Sequence, residues 1–250
     1  MKRWSMILRL SVNDFKSKYS GSAVGALWAI AEPLATVLIY WFVYTVAVGG
    51  GVDDTPYYLW LSVGIAPWFF VSDGIRAVTS SYRDYAFLLK KTPMDKSILP
   101  TARMISAFIS HLIFLAIDIV LCMAEERFAL NLTLFVIILI SMLFVWSIGN
   151  ITAVLCAKYR DTANIVGVVL NAGFWLTPVF WNAGAVEGKV HKLIMLNPVA
   201  IIVEGYRDAI LYGKALPFED ILYVLAICLS FAAIGKLLKQ KELPDISDSL

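Results

Sequence analysis

Uncharged apolar runs long enough to span a membrane recur along this 250-residue chain, and no other feature restricts its fold as strongly. A helix needs about 20 predominantly apolar residues to cross about 30 Å of hydrocarbon. Suitable runs occupy residues 33–52, 56–72, 128–157 and 162–186. Residues 104–124 join them if Asp118 is accommodated near one end, and 221–235 is short but has Lys236 and Lys239 to snorkel from its end. The expected architecture is therefore all-α and integral to the membrane, with six transmembrane helices in a single domain over 1–250. Hydrophobic residues make up 60% of the chain and charged ones 16%, with a mean hydropathy of +0.75. Soluble domains carry about 45–50% and about 25%.

Six spans put both termini on one side, and the basic residues say which. Of the 21 Lys and Arg, 16 fall in the N-terminal segment, the span 2–3 and 4–5 loops, and the tail. Only Arg127, Lys189, Lys192, Arg207 and Lys214 are left for the other face. The positive-inside rule then predicts cytoplasmic termini. The basic start is not a cleavable signal, because Arg9, Asn13, Asp14 and Lys16 interrupt its apolar stretch. Cys122, Cys156 and Cys228 are far apart in apolar runs and read as small buried hydrophobes. A net charge of +2 gives no sign of a nucleic-acid partner.

Three segments are not expected to span. In residues 2–20, Trp4, Leu8, Val12, Phe15 and Tyr19 share one helical face, with Lys2, Arg9, Asn13 and Lys16 largely opposite. This is an amphipathic helix in the headgroup plane, either an anchor or an interface helix that also touches a cytoplasmic partner. In the 80–96 loop, Ser80 or Ser81 is expected to cap a helix over 82–91 that stops at Thr92 and Pro93. Tyr82, Tyr85, Leu88 and Leu89 would form its apolar ridge, framed by Arg83, Asp84, Lys90 and Lys91. Such a ridge suits a partner's groove, or else the membrane surface. In the outer region 184–217, Asn197 and Pro198 divide two apolar pieces too short to cross. Two short re-entrant helices buried in protein or lining a wet cavity are expected there, with a Glu204–Arg207 pair across one turn.

No catalytic constellation is evident. His111 and His191 have no partner at metal-ligand spacing, and no phosphate-binding P-loop is present. ATP-driven transport would therefore need a motor on another polypeptide. Glu32, Asp73, His111 and Asp118 lie at or near membrane depth, with Asp73 placed to pair with Arg76. Aromatics crowd the span ends, either as an interfacial belt or as ring faces for sugars.

Three stretches carry a family resemblance. The first is Lys18-Tyr19-Ser20-Gly21-Ser22-Ala23-Val24-Gly25-Ala26-Leu27-Trp28, continuing to Glu32, Pro33 and Leu34. The second is Lys158-Tyr159-Arg160-Asp161 followed by Phe174-Trp175-Leu176-Thr177-Pro178-Val179-Phe180. The third is Leu196-Asn197-Pro198 with Glu204-Gly205-Tyr206-Arg207. Together they resemble the membrane subunits of bacterial ABC-2-type polysaccharide and polyol-phosphate exporters: the O-antigen, teichoic acid and capsule permeases. Ser20 stands where that family often has arginine, and Trp181 where it often has tyrosine, which leaves the glycan open.

The resemblance implies a homodimer in the bacterial inner membrane with two copies of an ABC ATPase that carry the ATP and Mg; this chain itself has no cofactor. Residues 82–91 would be the coupling helix, with Tyr82, Arg83, Asp84, Tyr85, Leu88 and Leu89 meeting the ATPase. An undecaprenyl-linked or other lipid-linked glycan would enter at an inner rim that includes Lys16, Lys18, Tyr19, Arg160 and Asp161. Arg160 and Asp161 have a plainer reading as anchor and cap of span 5. Trp28, Trp175, Phe180, Trp181, Tyr206 and Arg207 are candidates to line the glycan path. The competing readings are an ABC-2 drug or lipid exporter, a lipid-linked sugar transferase, and an ion-coupled carrier resting on His111.

Overall fold

The computed structural model describes residues 3–20, 25–43, 46, 55–91, 94–186 and 188–242, and these are helical nearly throughout. In chain order the helices are α1 (Arg3–Lys18), α2 (Trp28–Val43), α3 (Tyr57–Asp84), α4 (Ala86–Lys91) and α5 (Ile98–Ala124). They continue with α6 (Thr133–Lys158), α7 (Thr162–Leu176), α8 (Gly188–Met195), α9 (Pro198–Ile210) and α10 (Phe218–Glu242). Of the first expected span, residues 44, 45 and 47–52 lie outside the described residues, as do Thr92, Pro93 and the Glu32 side chain.

Among the described residues, α3, α5, α6 and α10 are long and apolar enough to cross a membrane. This differs from six full-length spans. Helix α2 has 16 residues and α7 only 15, about 22–24 Å at 1.5 Å per residue. The run 162–186 breaks because Thr177 precedes Pro178, which forces it out of the helical region; Thr177 is extended at φ −94°, ψ 138°. Pro33 lies inside α2 rather than at its start.

Helix α3 is the axis of the bundle. It is buried along most of its 28 residues and packs on α5 and α6 along its flanks, with α2, α7 and α9 completing its surround. Small residues allow this. A methyl at Gly74 would lie 2.7 Å from Val145 Cγ1, and one at Gly149 would lie 2.6 Å from Val78 Cγ1. Each helix therefore sets a valine into the other's glycine, one turn apart, which is the close backbone approach that membrane helices use in place of a hydrophobic drive. Helices α5, α6 and α10 turn Leu112, Val120, Phe135, Leu139, Leu229 and Leu237 outward, as lipid-facing helices do.

Helix α3 also runs twelve residues past the expected limit at Ser72. Ser80 and Ser81 are therefore not caps of a separate helix. They sit in its final turns, Ser80 donating to Asp84 at 2.6 Å and Ser81 fully buried. Helix α1 docks its Ile7, Ser11 and Asp14 side on the foot of α5 against Ile98 and Ala102. Trp4, Leu8 and Val12 remain exposed on its other side.

Replacing Gly149 with alanine is expected to lower stability by about 1–3 kcal/mol through overpacking against Val78. Thermal unfolding of the detergent-solubilised chain measures this, and an unchanged midpoint would refute the interlock.

Candidate functional site

At the inner end, Arg103 on α5 gathers α1 and α3. Its guanidinium donates to Asp14 on α1 at 2.5 Å, and to Asp84 at 2.6 Å and Ser80 at 3.1 Å on α3. Its Nε donates to the Ala77 carbonyl at 3.1 Å. Tyr85, at the corner between α3 and α4, donates to the same Asp14 at 2.9 Å. Burial, then the bond to Asp14, pushes the Tyr85 hydroxyl up to about 12. Arg3 secures the start of α1 to Asp95 at 3.2 Å and Ser97 at 2.9 Å. Burial raises the Asp95 carboxyl, but hydrogen bonds from Ser97 and the nearby Arg3 and Lys239 outweigh it and hold the group below its ordinary value.

This geometry reverses the expected face of the 80–96 region. Tyr82 and Leu89 are buried, Leu88 is half-buried against the core, and Tyr85 points at Asp14. The helical spacing of these residues is real, but the ridge packs on its own bundle, because apolar groups nearest a core bury there first. Phe87 is what α4 offers outward, 70% exposed, with Lys91 4.2 Å over its ring and Lys90 exposed beside it.

From this platform a groove follows α3, bounded by α1 and α5 below and by α2 and α7 above. Its lower part is polar, lined by Asp14, Lys18, Asp73, Arg76, Ser80 and Arg103. Asp73 pairs with Lys18 at 3.6 Å, not with Arg76, which reaches across to donate to Asn171 on α7 at 2.9 Å. An i, i+3 pair on one helix lost to partners on other helices. Asp73 and Arg76 also belong to the upper part, which is aromatic: Tyr40, Trp68, Phe174 and Trp175. Phe174 lies 5.6 Å from Trp68 and 5.8 Å from Tyr40, tilted against both. Trp175 is 62% exposed and Trp28 is also exposed. Asn171 and Thr36 escaped sequence reasoning, and Arg76 entered it only as a partner for Asp73, because isolated polar residues in apolar runs give no periodic signal and only packing brings them to one cavity.

At the outer end Arg207 is wholly buried. Its guanidinium lies 3.4 Å above the centre of the Trp60 ring and donates to the carbonyls of Trp60 at 3.2 Å, Pro178 at 2.7 Å and Val179 at 2.5 Å. It also pairs with Glu204 at 2.8 Å. Gly64 makes room for it, since a methyl there would lie 2.1 Å from Nη2. The carbonyls freed where α7 breaks thus find their donors on α9. Tyr57 donates to Phe180 at 2.6 Å, and Asn197 both caps α9 and donates to Thr177 at 2.9 Å. Phe180 is buried and stacks on Tyr40, while Trp181 donates to the Trp175 carbonyl.

Several candidate path residues are therefore scaffold. Arg207, Tyr206 and Phe180 are enclosed, and Tyr206 meets His111 at 2.9 Å, which leaves that histidine as a packed hydrogen-bonding group. Of the inner-rim candidates, Lys16, Arg160 and Asp161 are exposed, Lys18 holds Asp73, and Tyr19 packs edge-on to Phe15. Asp161 occupies the N-cap position of α7 in helical geometry, without a side-chain cap bond. Asp118 is buried on α5 and accepts from Ser62.

Arg207→Ala leaves Glu204 and the Pro178 and Val179 carbonyls without their donor and is expected to cost about 3–5 kcal/mol. Trp175→Ala at the exposed groove wall is expected to leave stability nearly unchanged. Thermal melts of the two variants side by side check this, and equal losses would contradict the division into scaffold and wall.

Comparison with known proteins matches this sequence to a family. The family model for the ABC-2 type transporter matches residues 7–211, from α1 through α9. The O-antigen export system permease protein RfbA of Myxococcus xanthus is 28% identical over 225 residues, covering 88% of this chain and 85% of that protein. A protein of the same name from Klebsiella pneumoniae is 24% identical over 237 residues, covering 93% and 90%. The polysialic acid transport protein KpsM of Escherichia coli is 22% identical over 232 residues, covering 90% and 89%. With several apolar helices of spanning length and this match over most of its length, the chain is a membrane protein of the ABC-2 type transporter family, a family of permease subunits.

Proposed function

We propose that this chain is the permease subunit of an ATP-driven exporter that moves lipid-linked polysaccharide across the bacterial inner membrane. Its relatives named for O-antigen export and polysialic acid transport support the substrate class. The observation that carries the reading is the groove along α3, polar at Lys18, Asp73, Arg76 and Asn171, then walled by Tyr40, Trp68, Phe174 and Trp175. Hydroxyl-rich chains need hydrogen-bonding groups, and pyranose C–H faces stack on aromatic rings. A polar stretch followed by ring faces serves a sliding glycan better than a closed apolar pocket serves a drug.

In this reading the chain crosses the membrane six times, with α2 and α7 as the two short crossings and both termini in the cytoplasm. The inner ends of α3, α5, α6 and α10 carry the ion pairs of Arg103, Arg3 and Lys158, consistent with a cytoplasmic inner face. Helix α9 is wedged against α3 and α6 while α8 buries nothing, so the pair forms a re-entrant outer cap below which the groove ends. Two copies face each other across their grooves and enclose the path, and two ATPase subunits that bind ATP and Mg dock on α1 and α4. O-antigen, capsule and teichoic acid chains all fit this chemistry.

Replacing Trp175 with alanine together with Arg76 with glutamine is expected to reduce surface glycan at least tenfold in a deletion strain, with normal amounts of the protein in the membrane. Immunoblotting of surface polysaccharide reads this, and full complementation would overturn the path. Phe87→Ala is expected to uncouple the ATPase. The purified complex should lose most transport-dependent ATP turnover, whereas Tyr85→Phe, which removes only an inward hydrogen bond, should retain it. The opposite ranking would restore the inward ridge as the docking face.

A further inference from the structure

A line of buried polar groups lies beside the groove, along the seam between α3 and α5. On α5, His111, Asp118 and Glu125 follow one another at intervals of seven residues, which keeps them near one helical face. Helix α3 packs there in the opposite direction and presents Ala66, Ser62 and Tyr58 at intervals of four. Glu125 caps α5 at the exposed outer end and accepts from Tyr58. Asp118 is fully buried and accepts from Ser62. His111 is 3% exposed and shares the lining of a cavity of about 70 Å³ with Ala66, Ser110 and Asp73. Ser110 and Asp73 also line the polar lower groove, so this cavity is a branch of it. There is room in it for a few waters, each of which needs about 10–15 Å³.

Three atoms of this seam, Asp118 Oδ2, His111 Nδ1 and Ser110 Oγ, are buried and find no hydrogen-bond partner among the described residues. Buried polar atoms are nearly always paired, so three in one seam call for a physical cause. The titratable groups set against them are Tyr206 on α9, which meets His111 Nε2 at 2.9 Å, and Cys122, one turn beyond Asp118. No cation lies against His111 or Asp118 among the described residues. A buried carboxyl in that setting carries its proton. Lines of Asp, Glu and His across a membrane are what proton relays are built from. We propose that the α3–α5 seam conducts protons between the outer surface and the inner cavity, an activity separate from export. Asp118 passes its proton to His111, which donates to Tyr206 through Nε2 and accepts at Nδ1. His111 then releases that proton to water beside Ser110, and Glu125 reloads Asp118 with one taken from outer water. One proton enters and one leaves, every O–H or N–H bond broken is replaced by another, and no electrons are transferred. Successive groups stand two turns apart, about 10 Å at 1.5 Å per residue, so each transfer passes through transient water and is slow. Because Tyr206 belongs to α9, the relay also touches the outer cap.

The test uses the full chain in phosphatidylcholine liposomes with an entrapped pH-sensitive dye. A potassium gradient with valinomycin makes the interior negative and draws protons in. The interior is expected to acidify faster than in protein-free liposomes. Asp118→Asn keeps an acceptor for Ser62 but has no proton to pass on. His111→Gln keeps an N–H for Tyr206 but cannot take a proton up. Each should slow the flux by about tenfold or more, as the loss of a positioned proton-transfer group does. Asp118→Glu keeps the carboxyl and should retain part of the flux, which guards against a misfolded asparagine variant. Glu219→Gln, at an exposed carboxylate outside the seam, should change nothing. Acidification no faster than in protein-free liposomes would overturn the path, as would equal flux in wild type and the double variant. Flux lost as fully in Asp118→Glu as in Asp118→Asn would overturn transfer through the carboxyl. The flux is read without ATPase or glycan, so neither result bears on the export reading.

Discussion

Helix α3 cannot face lipid. Its second half carries Asp73, Arg76, Arg83 and Asp84, and its first half sets Ser62, Gly64 and Ala66 among large aromatic and aliphatic residues. A charge exposed to hydrocarbon costs about 2.5–3.5 kcal/mol even on lenient insertion scales. The chain meets this constraint by wrapping the other helices around α3 and supplying Asp73, Arg76 and Asp84 with partners from elsewhere. Lys18 comes from the end of α1, Asn171 from α7 and Arg103 from α5. The interlock of Gly74 with Val145 and Val78 with Gly149 sets how closely this can be done.

The two ends of the bundle then follow from two arginines with opposite surroundings. Arg103 stands in a partly wet corner and collects carboxylates from separate helices, so it joins elements that can still shift. Arg207 is dry and collects backbone carbonyls at the point where α7 stops, so it repairs a break. Between them, α2 and α7 touch α3 lightly and turn Leu38, Phe42, Val168 and Val169 outward. Helices held so lightly beside a groove are the natural moving parts of an exporter, while α3, α5, α6 and α9 stay as frame.

The sequence made the large apolar helices legible because a run of uncharged residues has few other destinations. It also exposed the division at Asn197 and Pro198, since proline at the first helical position after a capping asparagine is a local signal. What it hid was direction. The ridge of Tyr82, Tyr85 and Leu89 has the same spacing whether it meets a partner or its own core, and only packing decides. Arg207 likewise reads as a functional charge until the Pro178 and Val179 carbonyls are seen as its acceptors, because no pattern marks a carbonyl left over where a helix breaks. The fifth run is shorter as a helix than as a sequence: hydropathy sees composition through Thr177 and Pro178, but the helix does not continue through them.

The groove along α3 is the point on which the functional reading depends, and water access is its most direct property. Single cysteines at Thr36 and Asn171, both on the groove wall, and at Leu229 on the outward face of α10 can be compared in a chain whose Cys122, Cys156 and Cys228 are replaced. The measurement is alkylation by a membrane-impermeant thiol reagent in the assembled, ATP-hydrolysing complex. Fast labelling at 36 and 171 with none at 229 is the expected result. Labelling that is equally slow at all three positions would mean that the groove is filled by lipid or protein, and that the path runs elsewhere.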